Sequence, residues 1–384
     1  MQRNSVVKKI NLLAAVSALA LVQGCSAPDA LWGSSARPED AHIEHARPDP
    51  ESKADVNRYF RPEESVSEGS VTVEGNSIDY RAVAGTLVVH PKDWDDAAAK
   101  PEADAKADAK DTNPTAEAAM FYVAYFKQGE SAHRRPITFV FNGGPGSSTV
   151  WLHMGAFGPR RIITANDTHT PAAPYRLVDN EFSLLDASDL VFIDAPGTGF
   201  GRVAGKDKEK AFFGADPDVH AFSEFITQFL SKYGRWNSPK YLFGESYGTP
   251  RAANLINVLE TQDDADFNGV ILLSQILNYD LATGRAELNP SVDLPYQLVL
   301  PTYTATAWYH HKLPDNSQPL DPLLQEVENF ALGDYALALN AGSELSPAKR
   351  DEIADKLHNY TGLSVAYIKK ANLRIDGGEF EKNL

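Results

Sequence analysis

The stretch Tyr241-Leu242-Phe243-Gly244-Glu245-Ser246-Tyr247-Gly248-Thr249-Pro250 decides how this chain is read. Its first three residues are large and apolar and suit a short buried strand. Across 250–259, Ala252, Ala253, Ile256 and Leu259 recur at helical spacing, so a helix follows. Between the two lies Gly-x-Ser-x-Gly at 244–248. Alone, that pattern is a weak signal. Strand, sharp turn and helix together are the context that a nucleophile elbow requires. The glycines leave room where the backbone doubles back, Ser246 is lifted clear of the sheet, and the N-terminus of the helix favours developing negative charge. The plainer alternative is a strand-to-helix turn with a capping serine.

Working outward, a second glycine turn, Asn142-Gly143-Gly144-Pro145-Gly146-Ser147-Ser148, directly follows the apolar run at 137–141. Acyl transfer needs amide donors aimed at the oxygen that becomes negative, and a glycine turn can expose them. Gly144 can supply one such amide and Tyr247, the residue after the serine, the other. A phosphate-cradling loop is the rival use of these glycines. It lacks the Lys and Ser/Thr of that motif, and Pro145 removes a donor. Further apolar runs at 190–193 and 270–273 predict strands. Val219, Phe222, Phe225, Ile226, Phe229, Leu230 and Tyr233 predict a helix over 218–233, with Pro217 at its start. Shorter strands are expected at 71–73, 78–84, 86–89 and 121–126, as hairpins at one edge. Apolar strands alternating with helices indicate an α/β fold. Its sheet should be mostly parallel, covered by helices on both faces, with a site at the carboxyl ends of the strands. From about 289 the pattern turns helical, at 323–332, 335–340, 347–359 and 363–371, which reads as an insertion, or cap.

Composition narrows the function. Hydrophobic residues make up 43% and charged residues 23%, enough apolar sequence for a sizeable core. A net charge of −16 disfavours nucleic acid as a partner. One cysteine rules out a disulfide framework or a zinc ribbon made by this chain alone. No His/Asp/Glu group has metal-ligand spacing, so neither metal nor cofactor is expected. Residues 1–24 read as a signal peptide: Arg3, Lys8 and Lys9 precede a short apolar core at 10–22. The core ends in Leu21-Val22-Gln23-Gly24-Cys25-Ser26, which resembles a bacterial lipobox, with Cys25 as the lipidated residue. A cleaved signal with an incidental cysteine is the alternative. The resemblance implies a lipid anchor on the periplasmic side of the cell envelope, and Ser26 in place of Asp points to the outer membrane. The expected organisation is a tether at 25–65, a core at 66–288 with a low-complexity loop at 92–119, and the helical insertion at 289–384. Oligomeric state is not specified.

Asn-Gly-Gly-Pro-Gly-Ser-Ser at 142–148, Gly158-Pro159, the run LVFIDAPGTGF at 190–200 and GESYG at 244–248 resemble, in order, the serine carboxypeptidase family. The resemblance implies an α/β-hydrolase fold with a helical cap. It also implies release of the terminal residue from peptides with a free C-terminus, through an acyl-enzyme. Ser246 then matches the nucleophile, Gly144 and Tyr247 the oxyanion donors, and Asn142 and Glu245 the groups that bind the substrate's terminal carboxylate. Glu245 would need a proton to share with that carboxylate. Two departures stand out. Many members carry a second carboxyl-binding Glu two residues before Gly-Pro, where this chain has Ala156. After Ser246 the only histidines are His310, His311 and His358, none in a setting that suits the base. The family pattern thus leads one to expect the catalytic Asp and His beyond residue 384, and a truncated, inactive chain. His153 and Asp194 are expected to line the pocket or fix turns. An esterase or acyltransferase on the same scaffold, or a non-catalytic peptide-binding envelope lipoprotein, are the rival functions.

Overall fold

The computed structural model describes residues 59–95, 115–166, 168–281 and 291–384. The expected signal peptide, Cys25, most of the tether and most of the low-complexity loop lie outside the described residues. The chain divides after Gln275 into two compact units.

The first unit is built on β1 (Glu64–Val73), β2 (Asn76–Val89), β3 (Glu117–Lys127) and β4 (Ile137–Phe141). A short helix α1 (Val150–Leu152) continues as a π-helical turn (His153–Phe157). There follow β5 (Arg160–Ile162), β6 (Leu177–Asp179), β7 (Asp189–Ile193), β8 (Arg202–Ala204) and α2 (Lys208–Phe212). The unit closes with α3 (Ala215–Lys232), β9 (Lys240–Glu245), α4 (Gly248–Gln262) and β10 (Gly269–Leu273). The main sheet has the order β1-β2-β3-β7-β4-β9-β10, with β8 added to β3, while β5 and β6 form a separate ribbon. Pairings from β7 through β4 and β9 to β10 are parallel; those among β1, β2, β3 and from β3 to β7 and β8 are antiparallel. The fold is α/β, a mixed central sheet with its parallel part from β7 to β10 and helices packed on it, as the sequence led one to expect.

Burial explains the assembly. Every residue of β4 and β7 is buried, because layers pack on both faces. On one face the α3 stripe Val219, Phe222, Phe225, Ile226, Phe229 and Leu230 is fully covered and meets Phe139, Phe141 and Leu242. On the other, Val140, Phe192 and Phe243 meet Leu152, Phe157 and Leu185. Three expectations need correction. β1 starts at Glu64, inside the expected tether, and runs ten residues because it pairs along its whole length with β2. The two runs at 78–84 and 86–89 are one fourteen-residue strand, since Gly85 stays in the ladder between Glu64 and Tyr122. Residues 117–119, assigned to the loop, belong to β3, where the Glu117 carboxylate accepts from the Tyr59 and Phe60 amides at 3.0 and 3.4 Å.

The second unit is helical, and no strand occurs among its described residues. It comprises α5 (Leu294–Tyr309), α6 (Leu320–Phe330), α7 (Ala336–Ala341), α8 (Pro347–Thr361), α9 (Val365–Lys370) and α10 (Gly377–Asn383). Helix α5 had no clear signal in sequence. It is apolar on most sides and carries Pro295 and Pro301, so no single stripe marks it. Tyr303 stacks on Phe380, Phe330 on Tyr335, and Tyr335 donates to the Leu373 carbonyl. Among the described residues no helix is long and apolar enough to cross a membrane.

At the amino ends of the parallel strands, Asp189 lies between two buried guanidinium groups. Arg135 Nε reaches one carboxylate oxygen at 2.8 Å and Arg235 Nη1 the other at 2.6 Å, while the Lys127 amide adds a third bond at 3.0 Å. Arg235 also holds the Arg135 carbonyl at 2.9 Å. Arg135 also reaches Glu130 at 3.5 Å, so Asp189→Ala would leave Arg235 buried without a carboxylate and Arg135 with Glu130 alone, and should destabilise the unit by about 3–5 kcal/mol. Urea unfolding should show a lower midpoint with an unchanged slope.

Candidate active site

β9 ends at Glu245, α4 begins at Gly248, and between them Ser246 adopts a left-handed backbone with φ +56°. A side chain in that region costs on the order of 1 kcal/mol and must be held there. Three bonds do so. The Ser246 amide donates to the Leu273 carbonyl at the end of β10 at 3.0 Å. The Ser246 carbonyl accepts from the Thr249 amide at 2.8 Å and the Thr249 hydroxyl at 2.7 Å. The half-buried Ser246 hydroxyl has no hydrogen-bond partner among the described residues.

The glycine turn leaves the sheet beside it. Phe141, the last residue of β4, is in register with Gly244 of β9. Gly143 then passes so close to the elbow that a Cβ there would sit 2.3 Å from the Tyr247 nitrogen and 2.7 Å from the Glu245 carbonyl oxygen. Only glycine permits this approach. Gly144 follows with φ +109°, and among the described residues nothing accepts from its amide. The two candidate oxyanion residues, Gly144 and Tyr247, therefore adjoin a single backbone contact.

Asn142 is held on every side. Its amide donates to Thr149 Oγ1 at 3.3 Å, and its carbonyl accepts from Arg251 Nη1 at 2.7 Å. Its side-chain oxygen accepts from the Leu152 amide at 3.1 Å, and its side-chain nitrogen donates to Glu245 Oε2 at 2.9 Å. The structure thus brings together Ser246, Gly144, Tyr247, Asn142 and Glu245. Ala156 presents a methyl group in the π-helical turn, and its carbonyl accepts from Asn180 Nδ2 at 2.7 Å.

Asp194 fixes turns. One oxygen accepts from the Thr149 amide at 2.7 Å and the other from the Phe200 amide at 3.3 Å. Burial raises its carboxyl above the usual range, and those two amides act against that rise. His153 is structural: it stacks on Phe192 at 4.6 Å and pairs through Nε2 with the Tyr125 hydroxyl at 2.7 Å. His133, His310 and His311 are exposed, and His358 Nδ1 bonds the Leu363 carbonyl at 2.7 Å within the second unit. Sequence reasoning passed over Thr149, Asn180, Asp218 and Arg251. Arg251 offered a signal: it stands four and eight residues before Leu255 and Leu259, on the face of α4 that is buried, whereas Ala253 is exposed.

Residues 101–290 match a family model described as serine carboxypeptidase (Peptidase_S10). The chain is 30% identical over 135 residues to the pheromone-processing carboxypeptidase KEX1 of Cryptococcus gattii, covering 35% of this chain and 19% of that protein. It is 26% identical over 170 residues to serine carboxypeptidase-like 35 of Arabidopsis thaliana, covering 42% and 33%. The match thus spans about a fifth of the length of the first of these relatives and a third of the second. Among solved structures, a prohormone-processing carboxypeptidase Kex1 from Saccharomyces cerevisiae aligns with a TM-score of 0.39 at 18% identity, over 73% of this chain and 53% of that one.

Burial pushes the His153 imidazole down to about 4. Its folded value lies below its unfolded one, so the stability linked to the neutral ring is complete above about pH 6.5 and is lost as pH falls towards 4. The slope is about 1.4 kcal/mol per pH unit. Asp194, raised rather than lowered, has the opposite slope. Replacing only the imidazole, His153→Gln, should flatten the fall in Tm between pH 6.5 and 4.5 in a thermal denaturation series.

Proposed function

We propose that this protein is a serine carboxypeptidase that releases the terminal residue from peptides with a free C-terminus, through an acyl-enzyme at Ser246. The observation that carries the reading is the contact at Gly143, which seats the glycine turn against the serine elbow. In that arrangement Ser246 Oγ attacks the last peptide carbonyl, and the Gly144 and Tyr247 amides receive the oxygen that becomes negative. Asn142 and Glu245 take the terminal carboxylate. The serine proton must pass to a general base. Among the described residues of the first unit no histidine is hydrogen-bonded to Ser246. Nothing in this scheme calls for a metal or a cofactor.

Ala156 favours a second reading. With a methyl group where a second acid would sit, carboxylate recognition rests on one Asn–Glu pair, which suits an esterase or acyltransferase better than a paired-acid site would. Two peptide phosphonates separate the readings, one with a free terminal carboxylate and one with that carboxylate amidated. The carboxypeptidase reading expects labelling of Ser246 to be roughly tenfold faster or more for the free acid, the size of one charge-assisted hydrogen bond. Ser246→Ala should take no label. Equal rates support the esterase, and no labelling by either supports a peptide-binding protein.

The reading extends to location. Cys25, at the end of the lipobox-like run, would carry acyl chains that hold the protein on the periplasmic side of the outer membrane. Cys25→Ala should leave an uncleaved precursor or a soluble protein when membranes are sedimented. Retention equal to the parent would refute the anchor.

A further inference from the structure

We propose that Arg251 is a positioning residue: it fixes the Asn142–Gly143 peptide plane, and with it the place from which the Asn142 side chain meets a ligand's carboxylate. The inference rests on the carboxypeptidase reading and adds a residue to it. Arg251 lies on α4, the helix that begins just after the Ser246 elbow, and its side chain is 0% exposed. Nε and Nη2 bind the two oxygens of Asp218 on α3, at 2.7 and 3.1 Å. Its flat face rests on Phe222, with the guanidinium carbon 4.5 Å from the ring centre, and Tyr247 and Phe141 lie at 5.3 and 5.5 Å.

A buried ion pair of this kind is a poor way merely to fill space. Apolar side chains of similar volume fill a core as well or better, because two charges must otherwise be stripped of water. What an apolar residue could not provide is the third interaction, from Nη1 to the Asn142 carbonyl at 2.7 Å. That carbonyl belongs to the peptide plane joining Asn142 to Gly143, the plane from which the glycine turn departs. Rotation of that plane would drive Gly143 against Tyr247 or pull the turns apart. The bond also completes the restraint of Asn142. Main-chain N–H, main-chain carbonyl and side-chain oxygen all have partners, and one side-chain N–H is given to Glu245. The oxygen must face the Leu152 amide, which fixes the amide's orientation. One Nδ2–H remains to meet a ligand.

The test reads binding, which needs no general base. In a Ser246→Ala background, affinities are measured calorimetrically for a blocked dipeptide with a free C-terminal carboxylate and for the same dipeptide as its amide. The parent should prefer the acid by roughly tenfold or more. Arg251→Lys keeps a cation facing Asp218 but lacks the planar fork that serves Asp218 and Asn142 together. The preference should then fall below about threefold, with the amide's affinity changed by less than about twofold. A folded Arg251→Lys protein that keeps the full preference overturns the inference. If that variant does not fold, the apolar pair Asp218→Leu with Arg251→Met removes the buried charges and the bond to Asn142 together. It carries the same expectation, and a retained preference there is equally fatal. A parent that binds acid and amide alike refutes the carboxypeptidase reading itself, and the positioning role with it.

Discussion

The parallel pairing of β4 with β9 is the constraint on which the rest depends. Phe141 stands opposite Gly244, so both strands run out at the same height and the turns that follow emerge side by side. A slip of one residue would invert every side chain of one strand relative to the core. It would also separate Gly143 from Tyr247. All five β4 residues are buried, and the hydroxyl of Thr138 is paired with that of Ser188 at 2.7 Å, a bond that a slip would break and leave buried without a partner. Register therefore determines the distance between candidate nucleophile and candidate oxyanion donors before any polar contact is made.

Charge is buried at both ends of this sheet, with different logic. At the amino ends one buried carboxylate, Asp189, lies between two arginines, of which Arg135 also reaches the more exposed Glu130, and the remaining guanidinium donors go to the Arg135 and Leu185 carbonyls. That cluster joins the starts of β4 and β7 to the segment after α3. At the carboxyl ends Asp218 and Arg251 balance one to one, and the arginine still has a donor for Asn142. Asp194 adds a neighbouring tie, joining the start of α1 to the turn after β7. The loops that carry the candidate site are thus fixed to helices as well as to strands.

How much of this was legible in the sequence follows from range. The elbow could be read because strand, glycine, serine and helix are contiguous. The α3 stripe could be read because its period matches the helix. Gly144, Asn142 and Glu245 were candidates from short motifs and the family resemblance, and the structure brings them close together. The Asp218–Arg251 pair was not read, because its partners are 33 residues apart and Asp218 passes for an ordinary acidic residue in a helix's first turn. Strand β1 was underestimated because its residues from Glu64 to Ser70 are mostly exposed and polar, and only pairing with β2 makes them a strand. Helix α5 was missed for the opposite reason, being too uniformly apolar to show a period.

The crowding of partners around Asn142 has an entropic consequence. A side chain that becomes ordered only when a ligand arrives typically subtracts roughly 0.5–1.5 kcal/mol from binding through lost rotamer freedom. At Asn142 that freedom is removed when the chain folds: the Leu152 amide and the Glu245 carboxylate hold the side chain, and Arg251 and Thr149 hold the backbone that carries it. Complex formation at this residue would then show little conformational entropy loss on the protein side. Its heat of binding should report the new hydrogen bond and displaced water, with little contribution from reorganisation of the protein.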